Sequence, residues 1–421
     1  MKSLRDKNNK GCVFENNRNI LQKVVIYPSI FNLHSLYNEI IDYPPEGYQY
    51  VFNEKQKSGL SKSSFNSSSS HHNMKFQSKL LLRQILNKFI INSRIASCMT
   101  IDRFKKIPQG TDLIYSTERL IYKKFPWIVD CEHVTSFFGY DISHFERDKK
   151  YVESALSSKY CKKIIPWSDA GKRTLVENLN TKNFEDKIET VRLAVRPKNF
   201  IKEEYINDDE INLLFIGSAN PTNIKDVYTK GLREVLEVFK KISNNYETVN
   251  LTIRAWVPEE LKLKYKNIKN LRIIDDVLQW EDFEILFKTA DVFLSPSHGT
   301  LGRAVLDAMS YELAVVALNV GGTPELVDDG KTGFLIEKPE HVPYYVRNFI
   351  PNWHKPDFNE AIKKIDERLV DDFVEKTSIL IENPSLRRKM GKAGREEIET
   401  GKFSIQERNK KLKRIYDEAI S

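Results

Sequence analysis

The sequence predicts an α/β protein of two domains, each a parallel sheet with helices on both faces. Three observations carry this. At 421 residues the chain exceeds what a single core usually holds. From Ile211 onward, short apolar runs alternate with helix-period segments, as a parallel sheet with crossover helices requires. The runs Val292 to Leu294 and Val315 to Val320 are short, largely apolar and rich in valine, as strands buried on both faces should be.

Residues 1–20 are polar and read as a mobile N-terminus. A first domain over 21–200 opens with the strand Val24-Val25-Ile26-Tyr27. Residues 58–73 form a polar, serine-rich loop carrying His71-His72, with no third ligand nearby to argue a metal. Lys75 to Arg94 has helical periodicity, setting Leu82, Leu86 and Phe89 against Arg83, Lys88 and Arg94. Its apolar face fits either the domain's own core or an acidic lipid surface. Further strands are expected at 113–115, 127–129 and 163–165.

A second domain over 201–400 is expected to run strand 211–216, helix 230–243, strand 249–255, strand 271–274, helix 281–289, strand 291–295, helix 302–311 and strand 314–320. Residues 401–421 contain a last basic helix, Ile405 to Ile420.

Two turns in this second domain carry the chemistry. Val292 to Leu294 leads through Thr300, Leu301 and Gly302 into a helix that Thr300 can cap. Val315 to Val320 leads through Gly321-Gly322 into a helix that Thr323 can cap, with Pro324 at its first helical position. Neighbouring helix starts at the carboxyl edge of a parallel sheet present N–H groups and positive dipole ends, a place to hold a diphosphate.

The segments Pro296-Ser297, Gly302, Leu306-Asp307-Ala308-Met309, Val315-Val316, Gly321-Gly322 and Glu325 resemble the donor-binding core of family 4 glycosyltransferases. These are retaining GT-B enzymes that use nucleotide-sugars. Phe215-Ile216-Gly217-Ser218 and Lys230-Gly231 resemble the family's phosphate grip. Asp276-Val277 with Glu281-Asp282-Phe283 resembles the segment that meets the base. Lys187 to Val195 resembles the hinge, and the last helix resembles the one that crosses back onto the first domain. Residues 341–370 have no counterpart.

Three positions depart from the pattern. Gly299 replaces an acid that contacts the donor sugar, Asp307 replaces a glutamate, and Ser218 stands where arginine is frequent.

The resemblance implies two Rossmann-like domains facing across a cleft, with donor in the second and acceptor in the first. Lys230 is the expected cation for the leaving diphosphate, with Arg303 or Lys225 supplying the charge absent at Ser218. Asp307 is expected at the ribose hydroxyls. Gly217, Ser218, Val277, Thr300, Leu301, Gly302, Gly321 and Gly322 complete the donor site. His133, after Trp127 to Glu132, resembles the histidine beside the transferred sugar. If the strand continued, Glu132 would point away from it.

The reaction implied is transfer of a sugar from a nucleotide-diphosphate-sugar to a hydroxyl of a glycan, lipid-linked or small acceptor, with retention. An epimerase or hydrolase on the same scaffold, or a decayed nucleotide-sugar or glycan binding protein, stay open as alternatives.

The remaining composition bounds the setting. Cys12, Cys98, Cys131 and Cys161 fit neither a metal spacing nor a disulfide framework, which points to the cytoplasm. No cofactor or metal is expected. A net charge of +8 is too modest to argue nucleic acid, but suits phosphorylated substrates or peripheral contact with an anionic inner membrane face. No apolar run approaches the roughly 18 residues of a spanning helix.

Overall fold

The computed structural model describes residues 21–27, 36–52, 91–100, 106–205, 207, 209–218, 225–299, 302–353 and 355–421. The N-terminal 20 residues, the serine-rich loop and nearly all of the amphipathic segment at 75–94 lie outside them. At that segment's described end, Asn92 caps a separate helix. Its side chain accepts from the Arg94 and Ile95 amides, so the helical stretch starts at Ser93 rather than running through to Arg94.

The first sheet is all parallel, in the order β2-β1-β3-β4-β5. Its strands are β1 Gln22–Tyr27, β2 Tyr48–Val51, β3 Leu113–Thr117, β4 Trp127–Cys131 and β5 Cys161–Pro166. The intervening helices are α1 Leu36–Asp42, α2 Ser93–Met99, α3 Phe145–Leu156 and α4 Asp169–Asn178. Trp127, Ile128 and Val129 are fully buried, as expected of a central strand covered on both faces.

The second sheet, also parallel, runs β11-β10-β9-β6-β7-β8. It contains β6 Ile211–Ile216, β7 Val249–Arg254, β8 Leu271–Ile274, β9 Val292–Ser295, β10 Ala314–Asn319 and β11 Gly333–Glu337. Its helices are α5 Lys225–Thr229, α6 Leu232–Ser243, α7 Glu259–Tyr265, α8 Trp280–Thr289, α9 Arg303–Ser310 and α10 Thr323–Leu326. Then come α11 Pro356–Ala361, α12 Glu367–Glu382, α13 Pro384–Glu399 and α14 Ile405–Ile420. Val315 to Leu318 show no exposed surface, which explains their unbroken apolar character.

Helix α14 returns to the first domain. Leu412, Ile415, Tyr416 and Ala419 pack with Val24, Ile26 and Tyr115 in one core. The Tyr48 hydroxyl donates to Asp417 Oδ1 at 2.5 Å, and the Tyr50 and Tyr416 hydroxyls pair at 2.7 Å.

Residues 341–353 form a second connection that the sequence did not announce. A hairpin-like strap, bridged at Tyr345 and Pro351, turns through Asn348 and Phe349 at φ 39° and 63°. Its tip lies on the first domain. Ile350 is buried in that domain's core, and the Arg173 guanidinium sits 3.3 Å from the Phe349 ring centroid. The Asn178 amide donates to Asn348 O at 2.9 Å.

Candidate functional site

Strand β6 pairs with β7 on one side and β9 on the other, so chain order reverses between β6 and β9. A crevice opens beyond the carboxyl ends of such strands. The Gly217 amide at the end of β6 donates to Arg254 O at 2.9 Å, and Ser218 O accepts from Trp256 N at 2.7 Å. A Cβ on Gly217 would come within 2.8 Å of the Ala255 Cβ, so glycine allows this close approach.

Opposite, Gly231 caps α6 at φ 76°, and a Cβ there would overlap the Pro296 carbonyl. Glycine therefore satisfies both the left-handed backbone and the contact with the end of β9. The His298 amide donates to Thr229 O at 2.8 Å, and Ser297 Oγ to the same oxygen at 3.3 Å. These contacts bring Lys230, half-buried, beside the loop 296–299. Among the described residues Lys230 has no ion-pair partner.

Helix α9 starts at Arg303 with Gly302 in the capping position, not Thr300. Thr300 and Leu301 lie outside the described residues, as does the side chain of Lys225, which opens the short helix α5 rather than a loop. One turn on, Asp307 Oδ2 is 3.3 Å from Arg303 Nε, while Arg303 Nη2 reaches Glu39 Oε1 of the first domain at 3.0 Å. Asp307 Oδ1 is buried, with no hydrogen-bond partner among the described residues. Burial raises the Asp307 carboxyl above its ordinary range, against the opposing charges of Arg303 and Lys198. Lys198, itself buried, lies 5.1 Å from the Trp280 ring centroid and 5.4 Å from that of Tyr311.

Under the loop, His298 is buried, with Nδ1 2.7 Å from the Tyr344 hydroxyl and Nε2 3.3 Å from Glu234 Oε1. This couples the loop to α6 and to the strap.

The glycine pair behaves differently from the expectation of two equivalent helix starts. Helix α10 has only four residues and is capped by Gly322, not Thr323, so Thr323 takes its first position and Pro324 its second. Too few aligned peptides stack there to build a useful dipole. The Gly321 amide donates to the Tyr345 hydroxyl of the strap at 3.3 Å. Glu325 turns to the first domain, where its carboxylate accepts from the Asp169 and Ala170 amides at 2.8 and 2.7 Å. Val277 is 48% exposed at the rim below β8.

Across the cleft, His133 is buried just beyond β4, with Nδ1 2.7 Å from Thr135 Oγ1. The strand ends at Cys131, so Glu132 does not point away. Its Oε2 lies 3.7 Å from His133 Nε2. The Trp353 ring of the strap meets His133 edge-on at 5.1 Å between centroids. Lys198, Arg254, Tyr345 and Trp353 were not singled out from the sequence. Trp353 and Tyr345 sit in a segment with no familiar pattern, and Lys198 follows the hinge without a motif.

Two parallel-sheet domains and a C-terminal helix that returns to the first make this a GT-B fold. A glycosyltransferase from Rickettsia africae has the same fold, with a TM-score of 0.59 at 18% identity over 96% of this chain and 99% of that one. So has Anabaena HepE, solved in complex with UDP and glucose, with a TM-score of 0.54 at 11% identity over 94% of this chain and 99% of that one.

Residues 210–349, which lie in the second domain, match the family model for glycosyl transferases group 1. Among curated relatives, the Arabidopsis thaliana sulfoquinovosyl transferase SQD2 is 27% identical over 173 residues, 40% of this chain and 28% of that protein. The Staphylococcus aureus capsular polysaccharide biosynthesis glycosyltransferase CapM is 24% identical over 231 residues, 52% of this chain and 50% of that protein. The chain thus spans half or less of the length of these two relatives.

Among the described residues no helix is long and apolar enough to cross a membrane.

Proposed function

We propose that the protein is a glycosyltransferase that moves a sugar from a nucleotide-diphosphate-sugar to an acceptor hydroxyl, with retention of configuration. The observation that carries this reading is the seating of Lys230 beside the 296–299 loop at the switch point of the second sheet. Loss of a nucleoside diphosphate builds negative charge on its terminal phosphate. A fixed ammonium beside backbone amides stabilises that charge without reorganising.

Asp307, with one buried oxygen lacking a partner among the described residues, accepts from the ribose hydroxyls. His133 faces the transferred sugar and orients it toward the acceptor held by the first domain. The leaving phosphate assists attack from the same face, so no carboxylate nucleophile, metal or cofactor is needed. The acceptor is a glycan, a lipid-linked sugar or a small alcohol, and the reaction belongs to the cytoplasm or to the inner face of a membrane.

Full-length protein would be incubated with radiolabelled UDP-, GDP- and ADP-sugars and with membrane or glycan extracts, while thermal shift follows binding. Sugar transfer to an extractable acceptor with one donor class supports the reading. Absence of both a thermal shift and sugar release with all three would overturn it. Release of free or isomerised sugar without transfer would favour the hydrolase or epimerase.

A further inference from the structure

Arg254 ends β7, in register with Ile216 of β6 and Ile274 of β8. Register neighbours in a parallel sheet point to the same face, so this guanidinium rises between two apolar side chains. It is half-buried, with its central carbon 5.3 Å from the Phe283 ring centroid. Its only hydrogen bond among the described residues is a long one, Nη1 to Gly217 O at 3.5 Å, and its buried Nε has no acceptor. No carboxylate among the described residues pairs with it. Burial lowers its pKa, as expected of a cation removed from water without a counter-charge. A half-buried guanidinium without a counter-charge is under-satisfied until an anion meets it.

Its neighbours identify that anion. Arg254 O accepts from the Gly217 amide, which places the residue against the turn at the carboxyl end of β6. Ser218 in that turn carries no charge. Arg303 turns its guanidinium to Glu39 and Asp307. We propose that Arg254 binds the diphosphate of the donor, its planar fork supplying from β7 the charge absent at Ser218. This rests on the function proposed above and adds a donor-binding residue to that site.

The test measures calorimetric affinity of the whole protein for UDP, GDP and ADP, then for inorganic pyrophosphate and the free nucleoside of the tightest binder. In Arg254→Met, affinity for the nucleoside diphosphate and for pyrophosphate is expected to fall about ten- to a hundred-fold, with the nucleoside changed less than about twofold. Arg254→Lys is expected to recover part of the loss. Undiminished diphosphate binding by Arg254→Met overturns the inference, as does an equal loss for the free nucleoside, which would move Arg254 to the base. Should the methionine variant fail to fold, Arg254→Gln replaces it, judged by the same criteria. If the unaltered protein binds none of the three diphosphates, the proposed function itself falls, a different result from wild-type binding that survives the substitution.

Discussion

Glu325 of the second domain accepts the Ala170 amide of the first at 2.7 Å, so an acidic residue from the glycine-pair motif caps a helix across the cleft. Helix α4 is thereby satisfied from two sides. Ser168 Oγ accepts from the Gly171 amide, while the two Glu325 oxygens take the amides of Asp169 and Ala170. A carboxylate at a helix N-terminus stabilises by hydrogen bonding and by the dipole together. Glu325→Ala is expected to destabilise by about 1–2 kcal/mol, with Glu325→Gln losing less, both read by urea unfolding. Small-angle scattering should show a wider distribution of interdomain distances for the alanine variant. An unchanged midpoint and scattering profile would show that the contact holds nothing.

Removing Lys230 should separate chemistry from folding. Its ammonium pairs with no described carboxylate, so Lys230→Ala is expected to move the melting temperature by less than about 2 °C. Turnover with the functional donor should fall at least a hundredfold, the scale of losing one preorganised charge at a leaving group. Retained turnover would remove Lys230 from the site.

Asp307 predicts a different pattern of loss. Its assigned partners are ribose hydroxyls, so Asp307→Ala should weaken nucleoside diphosphate binding about tenfold. Pyrophosphate affinity should stay the same or rise, because a nearby negative charge is gone. A parallel loss for pyrophosphate would mean that Asp307 acts by holding Arg303, which it contacts at 3.3 Å.

Much of the second domain was legible because its central strands β9 and β10 are buried on both faces. Unbroken apolar runs such as Val315 to Leu318 betray themselves without any partner information. The strand–glycine–helix turns were equally readable, and Gly231 stands where two separate constraints both demand glycine. What escaped was set by tertiary partners. Glu132 and His133 fall on the same side because β4 stops at Cys131, which no periodicity indicates. Arg303 meets Glu39, distant in sequence, across the domain boundary, a contact that no motif indicates. Short edge strands such as β2, only Tyr48–Val51, are too brief to show alternation. The strap lacked any pattern because its apolar residues serve two different cores.

That division of the strap makes Ile350 a test of interdomain coupling. It belongs to the second domain's chain yet is 1% exposed within the first domain's core. Ile350→Ala should cost about 2–4 kcal/mol if the strap is docked at equilibrium. The loss should appear as an earlier opening of residues 345–353 in hydrogen exchange, together with faster exchange around His133, whose ring meets Trp353. Normal protection of both segments would show that the strap is not held by this side chain.

Asp130 predicts the pH dependence of the first domain. It is fully buried at the end of β4, where Oδ1 accepts from the Tyr37 hydroxyl at 3.1 Å and the Glu118 amide at 3.0 Å, and Oδ2 from the Tyr115 hydroxyl at 3.0 Å. Burial first, and the nearby Glu118 carboxylate second, raise its pKa from the ordinary 3.8 to about 7, against those three hydrogen bonds. Between roughly pH 4 and pH 7 the folded protein therefore binds a proton that the unfolded chain has released. Stability contributed by this group falls as pH rises through that window and levels off above it.

Asp130→Asn removes the titration while its amide oxygen still accepts two of the bonds and Tyr115 can turn to accept from the new NH2. The stability of the natural protein relative to Asp130→Asn is expected to drop by on the order of 2 kcal/mol from pH 5 to pH 8. Urea unfolding of both proteins at the two pH values checks it. Parallel stability curves would mean that Asp130 is already charged at pH 5, with its hydrogen bonds outweighing its burial.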